Sequence, residues 1–533
     1  MGASIGGAAH AAVLLVPADW PTIQAAISAA SDGDEIVVGP GTYAGPGNTG
    51  ISTLGKKIAV RSAAGAATCT IECALAGPAF AIGAGESADT VIDGFTIRHG
   101  SGGGLFGGGG VSIFLASPTI RNCVITDCQI SGLGNGGGMT IFGPTSLPLI
   151  EDCVFADNNA GMFGGAVAIT GANPTIRRCI FSANVCSNAY GGGIFIDFSS
   201  KATIVGCTFA GNSTSGIYSE SESPCVIVNC LFSGNDNGLL GGASPGGGVH
   251  AISTATQIIN CTFTGNVGSA VGTKATIVNS ILADSVSSTG EPLVAQVSGI
   301  PGNFSINFCN VENGWSGPGS NNISADPQFA QLARGTWKLA PFYDSSANLT
   351  VYTDTDAAFV PGALVGRIIN PDTAQQRRQY IAANDATTIS VHGNFTLDDL
   401  PTFGFDNLIV EVNDAYAIFD ARPSAGSPVV DAGKNEAVPR SVLVDLDGYP
   451  RFVDDPEQPD TGIGRAPLVD MGAFERQVPL AADLDGNGTV GASDLGILLG
   501  AWGTSDAAAD LDDDGVVGST DLGILLGAWA TRG

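Results

Sequence analysis

Two stretches near the C-terminus place oxygen-bearing side chains at spacings that suit a hard cation. The first runs Asp483-Leu484-Asp485-Gly486-Asn487-Gly488-Thr489-Val490-Gly491-Ala492-Ser493-Asp494, and the second Asp510-Leu511-Asp512-Asp513-Asp514-Gly515-Val516-Val517-Gly518-Ser519-Thr520-Asp521. A twelve-residue calcium loop takes side-chain oxygens from positions 1, 3 and 5, a carbonyl from 7 and a carboxylate from 12, with glycine at 6 for the turn. Asp483, Asp485, Asn487, the Thr489 carbonyl and Asp494 fill those places in the first copy. Asp510, Asp512, Asp514, the Val516 carbonyl and Asp521 fill them in the second. Position 9 is glycine in both, Gly491 and Gly518, which leaves that ligand place to water. Two Ca2+ ions are therefore expected. After each loop, Leu495, Leu498, Leu499 and Trp502, or Leu522, Leu525, Leu526 and Trp529, share one face of a helix. No helical pattern precedes either loop, so the two loop-helix units must pack on each other, with calcium contributing to their folding.

The main body offers less chemistry. Only four histidines occur, His10, His99, His250 and His392, which leaves little for zinc or Ser-His catalysis. No catalytic residue is assigned; Asp197 and His250 are the first pair to consider.

The elements that would position such groups are repeats. Ile120-Arg-Asn-Cys123-Val-Ile recurs as Ile150-Glu-Asp-Cys153-Val-Phe, Ile176-Arg-Arg-Cys179-Ile-Phe, Ile204-Val-Gly-Cys207-Thr-Phe, Ile227-Val-Asn-Cys230-Leu-Phe, Ile258-Ile-Asn-Cys261-Thr-Phe and Ile277-Val-Asn-Ser280-Ile-Leu. The interval is roughly 20–30 residues, the length of one solenoid coil. Asn158, Asn184, Asn212, Asn235 and Asn266 follow, then glycines and a short apolar strand. Cys and the apolar residue two later share a face, but Ile stands at an odd offset, so a corner must intervene. Asn122, Asp152, Gly206, Asn229, Asn260 and Asn279 tolerate a left-handed corner; Arg178 is the exception. Stacked coils would line Cys123 to Cys261 into an interior thiol column, while Cys69 and Cys73 stay open as a disulfide pair. Arg121, Glu151 and Arg177 form a surface ion-pair ladder. Ile23, Ala26, Ile27 and Ala30 predict a short helix capping the first coil.

If Val111, Met139, Val167, Ile194, Ile217 and Val249 point inward, alternation sends Phe114, Phe142, Phe195 and Tyr218 outward, beside Asp197 and His250. Outward rings could stack on sugars and form a glycan groove, or pack laterally under a loop or insertion. Residues 331–420 lose the repeat. Thr388-Ile-Ser-Val-His and Asn407-Leu-Ile-Val-Glu-Val read as strands of a small all-β insertion.

Composition sets outer limits. Acidic residues number 50 against 21 basic, net −29, with no basic stripe for nucleic acid. Glycine reaches 77 of 533 without a collagen period, which implies many tight turns. No apolar run is long enough for a transmembrane helix. Ala9-His10-Ala11 reads as the remnant of a cleaved secretion signal.

The duplicated C-terminal loop-helix resembles a type I dockerin. The resemblance implies a cohesin domain on a scaffold protein as partner, contacted by Ala492, Ser493, Ser519 and Thr520. Pro21-Thr-Ile-Gln-Ala-Ala-Ile27 with Gly33-Asp-Glu-Ile-Val-Val-Gly-Pro-Gly-Thr-Tyr43 resembles the opening of pectin-lyase-like β-helix proteins. Ser427-Pro-Val-Val-Asp-Ala-Gly433, Asp445-Leu-Asp-Gly-Tyr-Pro-Arg451 and Val469-Asp-Met-Gly-Ala-Phe-Glu475 resemble the closing region of choice-of-anchor Q proteins. Asp445-Leu-Asp-Gly reads as a turn, since no further calcium-loop ligand follows in register. Motifs of the pectin-active enzymes are missing: Arg98-His99-Gly100 lacks the paired aspartates of polygalacturonases, and Ala44 stands where methylesterases carry Glu. The expected architecture is all-β, a right-handed parallel β-helix with a small all-β insertion, plus a small α-helical calcium-binding dockerin module. Its divisions are 1–16 signal remnant or disordered N-terminus, 17–330 β-helix with capping helix, 331–420 insertion, 421–477 closing region and 478–533 dockerin. The functional expectation is a secreted or cell-surface protein that binds or processes polysaccharide. A lyase or glycoside hydrolase, and an adhesin whose dockerin pair is an intramolecular clip, are the alternatives.

Overall fold

The protein is described as a computed structural model covering residues 11–103, 107–132, 134–187, 190–220, 222–237, 246–253, 255–287, 291–375, 378–396, 410–478, 482–485 and 490–529. A typical coil runs from strand Thr119–Arg121 through Asn122 into strand Val124–Thr126, across the short strand Gln129–Ile130, and back through strand Met139–Phe142. The next coil begins at Leu149–Glu151, paired in parallel and in step with the one before: Thr119 with Leu149, Ile120 with Ile150, Arg121 with Glu151. Repetition builds parallel sheets of twelve, eleven and nine strands, with a three-stranded sheet at one turn. This is a parallel β-helix.

The corner accounts for the odd spacing of Ile and Cys. Asn122, Asp152, Asn229, Asn260 and Asn279 all have φ near +50°, Gly206 has +62° and Arg178 has +53°. Arginine has no local reason to favour that backbone. Its guanidinium reaches back across the coil, 2.7 Å from Asp152 and 3.2 Å from Glu151. Of the expected ladder of Arg121, Glu151 and Arg177, only one step forms: Arg177 lies 2.6 Å from Glu151, whereas Arg121 turns the other way and pairs with Asp93 at 2.8 Å.

Inside, identical residues stack. Phe155, Phe181, Phe209, Phe232 and Phe263 form one column with centroids 4.6–5.1 Å apart and rings near parallel. Asn158, Asn184, Asn212, Asn235 and Asn266 form a fully buried amide ladder in which each Nδ2 donates to the next Oδ1 at 2.9–3.0 Å. All twelve cysteines are buried thiols, and no disulfide joins any two. Cys69 and Cys73 are not a pair. Four residues of extended chain separate them by roughly 13 Å, far beyond a disulfide's reach. Burial pushes Cys225 up to about 11 and Cys309 up to about 12, so these thiols are packing groups and not nucleophiles.

Helix α1 (Ile23–Ala29) covers the first coil, with Ile23, Ala26 and Ile27 buried and Thr22 capping the Ala25 N–H at 3.2 Å. Lys56 Nζ closes its C-terminal end by donating to the carbonyls of Ile27, Ser28 and Ala30 at 2.7–2.9 Å. At the other end Trp315 packs edge-on against Phe304 at 5.9 Å.

Residues from Phe329–Thr336 to Ala415–Pro423 form a seven-stranded antiparallel sheet around Trp337, Tyr352 and Tyr416. Strand Thr388–His392 belongs to it. The strand expected at 407–412 is not seen at Val410–Val412, and residues 407–409 lie outside those described. This sheet docks on the solenoid through Arg378, which donates to Thr264 Oγ1 at 2.8 Å and sits 4.5 Å over the Phe419 ring.

Residues 424–477 lie along the flank of the last coils. The corner asparagines serve twice here: Asn229 Nδ2 donates to the Val444 carbonyl at 2.7 Å, Asn260 Nδ2 to Asp470 at 3.2 Å and Asn279 Nδ2 to Lys434 at 3.0 Å. Asp445 forms the expected turn, its Oδ1 accepting the N–H groups of Asp447 and Tyr449 at 3.0 and 2.9 Å.

The amide ladder yields a stability expectation. Asn212→Ala strands the donors of Asn184 that Asn212 Oδ1 now accepts at 3.1 and 2.9 Å. Urea denaturation should register a loss of roughly 2–4 kcal/mol; a loss under about 1 kcal/mol would mean that water replaces the amide.

Candidate functional site

The nine-stranded sheet divides the four outward rings between two rows. Strand Ile194–Asp197 pairs Phe195 with Ala168 on one side and Tyr218 on the other, and Tyr218 pairs with His250. Phe114 pairs with Phe142 in the other outward row, whose next members are Thr170 and Asp197. Phe114, Phe142, Phe195 and Tyr218 thus all point outward, as alternation requires, but in two rows. Phe114 is exposed and stacks on Phe142 at 5.2 Å. Phe195 and Tyr218 point away from the lumen yet are buried at 2% and 5% exposure. Rings from the preceding turn cover them: Phe163 lies 4.3 Å over Phe195 and Tyr190 lies 4.2 Å over Tyr218. His250 continues the stack at 4.7 Å from Tyr218. The stack removes apolar ring faces from water, which is a sufficient reason for it.

Asp197 and His250 are not brought together. They stand in different rows and two coils apart, roughly 12 Å by strand geometry. His250 Nε2 lies 3.2 Å from Thr273 Oγ1, and burial pushes the ring down to about 4.

Asp197 has other company. An open pocket of about 420 Å³ is lined by Phe163, Phe195, Asp197, Phe198, Ser199, Glu220, Glu222 and Ser223. Phe198 and Ser199 turn outward with φ of 51° and 62°, leaving the Phe198 ring 75% exposed at the rim. Glu220 follows strand Ile217–Ser219, and its N–H donates to the Ile196 carbonyl at 2.9 Å, so it stands beside Asp197 on the next coil. Ser199 Oγ donates to Glu222 at 3.4 Å. Asp197 Oδ1 is shielded and finds no hydrogen-bond partner among the described residues. Burial pushes its carboxyl up to about 6, against a lowering by the Thr170 hydroxyl and with a further push from Glu220. Rings and carboxylates lining one pocket can stack on a sugar face and accept its hydroxyls, and a carboxyl near 6 can hold or release a proton under mild conditions. Phe163, Phe198, Glu220 and Glu222 were missed in the sequence. Glu220 and Glu222 are visible as an acidic couple, but only the register places them beside Asp197.

The C-terminal tail carries the two oxygen clusters. Carboxylate oxygens of Asp483, Asp485 and Asp494 converge to within 4.8 Å of one another, and those of Asp510, Asp512 and Asp514 do the same. Asn487 and Thr489 lie outside the described residues; Val516 is exposed. Asp494 accepts the N–H groups of Leu484, Asp485 and Gly491 at 2.7–3.1 Å, and Asp521 accepts those of Leu511, Asp512 and Gly518 at 2.6–3.2 Å. Asp494 and Asp521 thereby tie each loop to its helix, α2 (Ala492–Gly500) or α3 (Ser519–Trp529). For Asp494 those N–H groups outweigh burial and hold the carboxyl below its usual range. An all-oxygen donor set with this convergence fits a hard divalent cation. The apolar helix faces are only partly used: Leu498 and Leu525 are buried, while Leu499, Trp502, Leu526 and Trp529 are exposed. Ala492, Ser493, Ser519 and Thr520 are exposed in the first helical turns.

A family model described as a right handed beta helix region matches residues 119–286. The fold is accordingly a right-handed parallel β-helix. No curated protein matches the chain. Among solved structures the chain is similar to pectate lyase Pel9A, at 14% identity and TM-score 0.40, covering 87% of this chain and 96% of that one. It is similar to pectin methylesterase from carrot, at 9% identity and TM-score 0.27, covering 61% and 85%. A third is the tailspike protein gp49 of Acinetobacter baumannii bacteriophage Fri1, a capsular polysaccharide depolymerase, at 11% identity and TM-score 0.29, covering 73% and 80%. No described helix is long and apolar enough to cross a membrane.

The depressed His250 has a measurable consequence. Its folded value lies below that of an unfolded histidine, so the native state binds fewer protons between about 4 and 6.5. Its contribution to stability should be complete above about 6.5 and fall away as the pH drops toward 4. An NMR titration should find the ring neutral at pH 5; a midpoint near 6.5 would refute the burial argument.

Proposed function

We propose that this chain binds and processes polysaccharide on the outer face of its β-helix, outside the cell, and is attached through a calcium-dependent dockerin-type tail to a cohesin-bearing scaffold or cell surface. The observation that carries the polysaccharide reading is the pocket lined together by the exposed Phe198 ring and by Asp197, Glu220 and Glu222. A rim aromatic beside three carboxylates suits a neutral, hydroxyl-rich chain better than a uronate, because three carboxylates repel further negative charge.

Catalysis is favoured by one pair. Asp197, with its carboxyl pushed up to about 6 beside Glu220, offers a protonated donor next to a second carboxylate, the arrangement that glycoside hydrolysis uses. Asp197 is the proton donor and Glu220 its partner in that reading. Activity that needs the Asp197 proton should fall as pH rises through about 6.

Phe198→Ala should weaken retention on the bound glycan by about 1 kcal/mol, a several-fold loss in an affinity gel. Asp197→Asn should keep retention and abolish release of reducing ends across a panel of neutral polysaccharides. Unchanged retention in the first variant, or unchanged release in the second, removes the corresponding role.

For the tail, Asp483, Asp485, Asn487, Thr489 and Asp494, with Asp510, Asp512, Asp514, Val516 and Asp521, would hold two Ca2+ ions. Ala492, Ser493, Ser519 and Thr520, beside the exposed Trp502 and Trp529, supply the surface for cohesin. Chelation should open residues 478–533 to protease while the coil spectrum persists; a tail equally resistant with and without calcium would end this reading.

A further inference from the structure

The flank segment contains a third acidic cluster, outside both tail loops and distant from any twelve-residue pattern. Asp431 has a left-handed backbone, φ 49°, and no exposed surface. Its N–H donates to Asp470 Oδ1 at 2.8 Å, its Oδ2 accepts the Asp455 N–H at 3.1 Å, and its carbonyl accepts the N–H groups of Thr461 and Gly462 at 3.1 and 2.9 Å. The loop 454–462 therefore folds directly over this residue. Asp431 Oδ1 is fully shielded and has no hydrogen-bond partner among the described residues. Carboxylate oxygens of Asp431, Asp454 and Asp460 lie within 4.8 Å of one another.

The arginines of the flank segment nearest the cluster are engaged elsewhere. Arg451, with no exposed surface, donates to the carbonyls of Asp470 and Gly472 and lies 3.8 Å from Glu475. Arg476 is held by Asp455 at 2.6 Å. Among the described residues, no ion pair reaches Asp431, Asp454 or Asp460. A shielded carboxylate oxygen without a donor is costly, and two further carboxylates within reach make it more so. A divalent cation answers both: it supplies the missing partner and neutralises the cluster.

We infer that Asp431, Asp454 and Asp460 bind a calcium ion that pins the 454–462 loop to the Asp431 turn. The all-oxygen set favours calcium over zinc, since residues 421–477 contain neither histidine nor cysteine. Ligands drawn from two separate loops suit the loose geometry of calcium better than the strict octahedron of magnesium. The ion acts on the solenoid through a short path: Lys434, three residues beyond Asp431, exchanges hydrogen bonds with Asn279 at 2.7 and 3.0 Å at a left-handed corner. The site is thus a clasp holding the flank segment on the last coils.

The test counts bound metal in the full chain after exhaustive dialysis against micromolar calcium. Asp454 and Asp460 are exposed, so D454N/D460N leaves the fold at little risk. This variant, and D431N, should each carry one calcium fewer per chain than the parent, whatever number the tail holds. Calcium should also protect the 454–462 loop from protease in the parent and not in the variants. Equal calcium content in the parent and D454N/D460N overturns the site, and equal retention of magnesium overturns the choice of ion.

Discussion

Coil-on-coil backbone hydrogen bonding, kept in step by a left-handed corner, is the constraint on which the molecule rests. Each coil must turn at the same point, or the next one slips by a residue and every inward side chain moves outward. Residues near φ +50° before each column cysteine enforce that point. Once register is locked, identical residues fall on identical residues. Phenylalanines stack on phenylalanines, and asparagine amides hydrogen-bond to asparagine amides, in a core that otherwise leaves a buried amide without partners.

The same corner organises the exterior. Where it is Asp152 or Arg178, it carries ion pairs at the surface. Where it is Asn229, Asn260 or Asn279, the amide reaches outward and binds the flank segment. One backbone requirement therefore selects small polar residues, and their side chains become the docking strip. The flank segment in turn buries Arg451, Asp470 and Glu475, a charge network in which Arg451 Nη2 donates to the carbonyls of Asp470 and Gly472. An ion at Asp431 fits this logic, since that is where the network has a carboxylate oxygen with no donor.

The outer face of the nine-stranded sheet illustrates a competition between packing and binding. Outward rings gain by stacking on any apolar neighbour, and the nearest neighbour in a solenoid is the adjoining coil. Phe195 and Tyr218 are consumed that way, whereas Phe198 is kept from it by its left-handed turn. The pocket thus lies at the end of a strand, where alternation stops and the backbone can present a ring to solvent beside Asp197 and Glu220.

Local sequence determined what repetition determines. The Ile, Cys, Phe and Asn columns, the corner positions, the capping helix and the two acidic loops were legible, because a side chain's face in a coil depends on spacing alone. Repeats that stack in step convert that spacing directly into contacts. Three things depended on the tertiary structure: which outward rings stay exposed, which carboxylates meet, and where the flank segment lies. Phe163 covers Phe195 because a turn folds back on the coil, and Asp431 meets Asp460 because a loop closes over it. Neither approach has a period, and both depend on how chain segments distant from the contact are held, which no local pattern encodes.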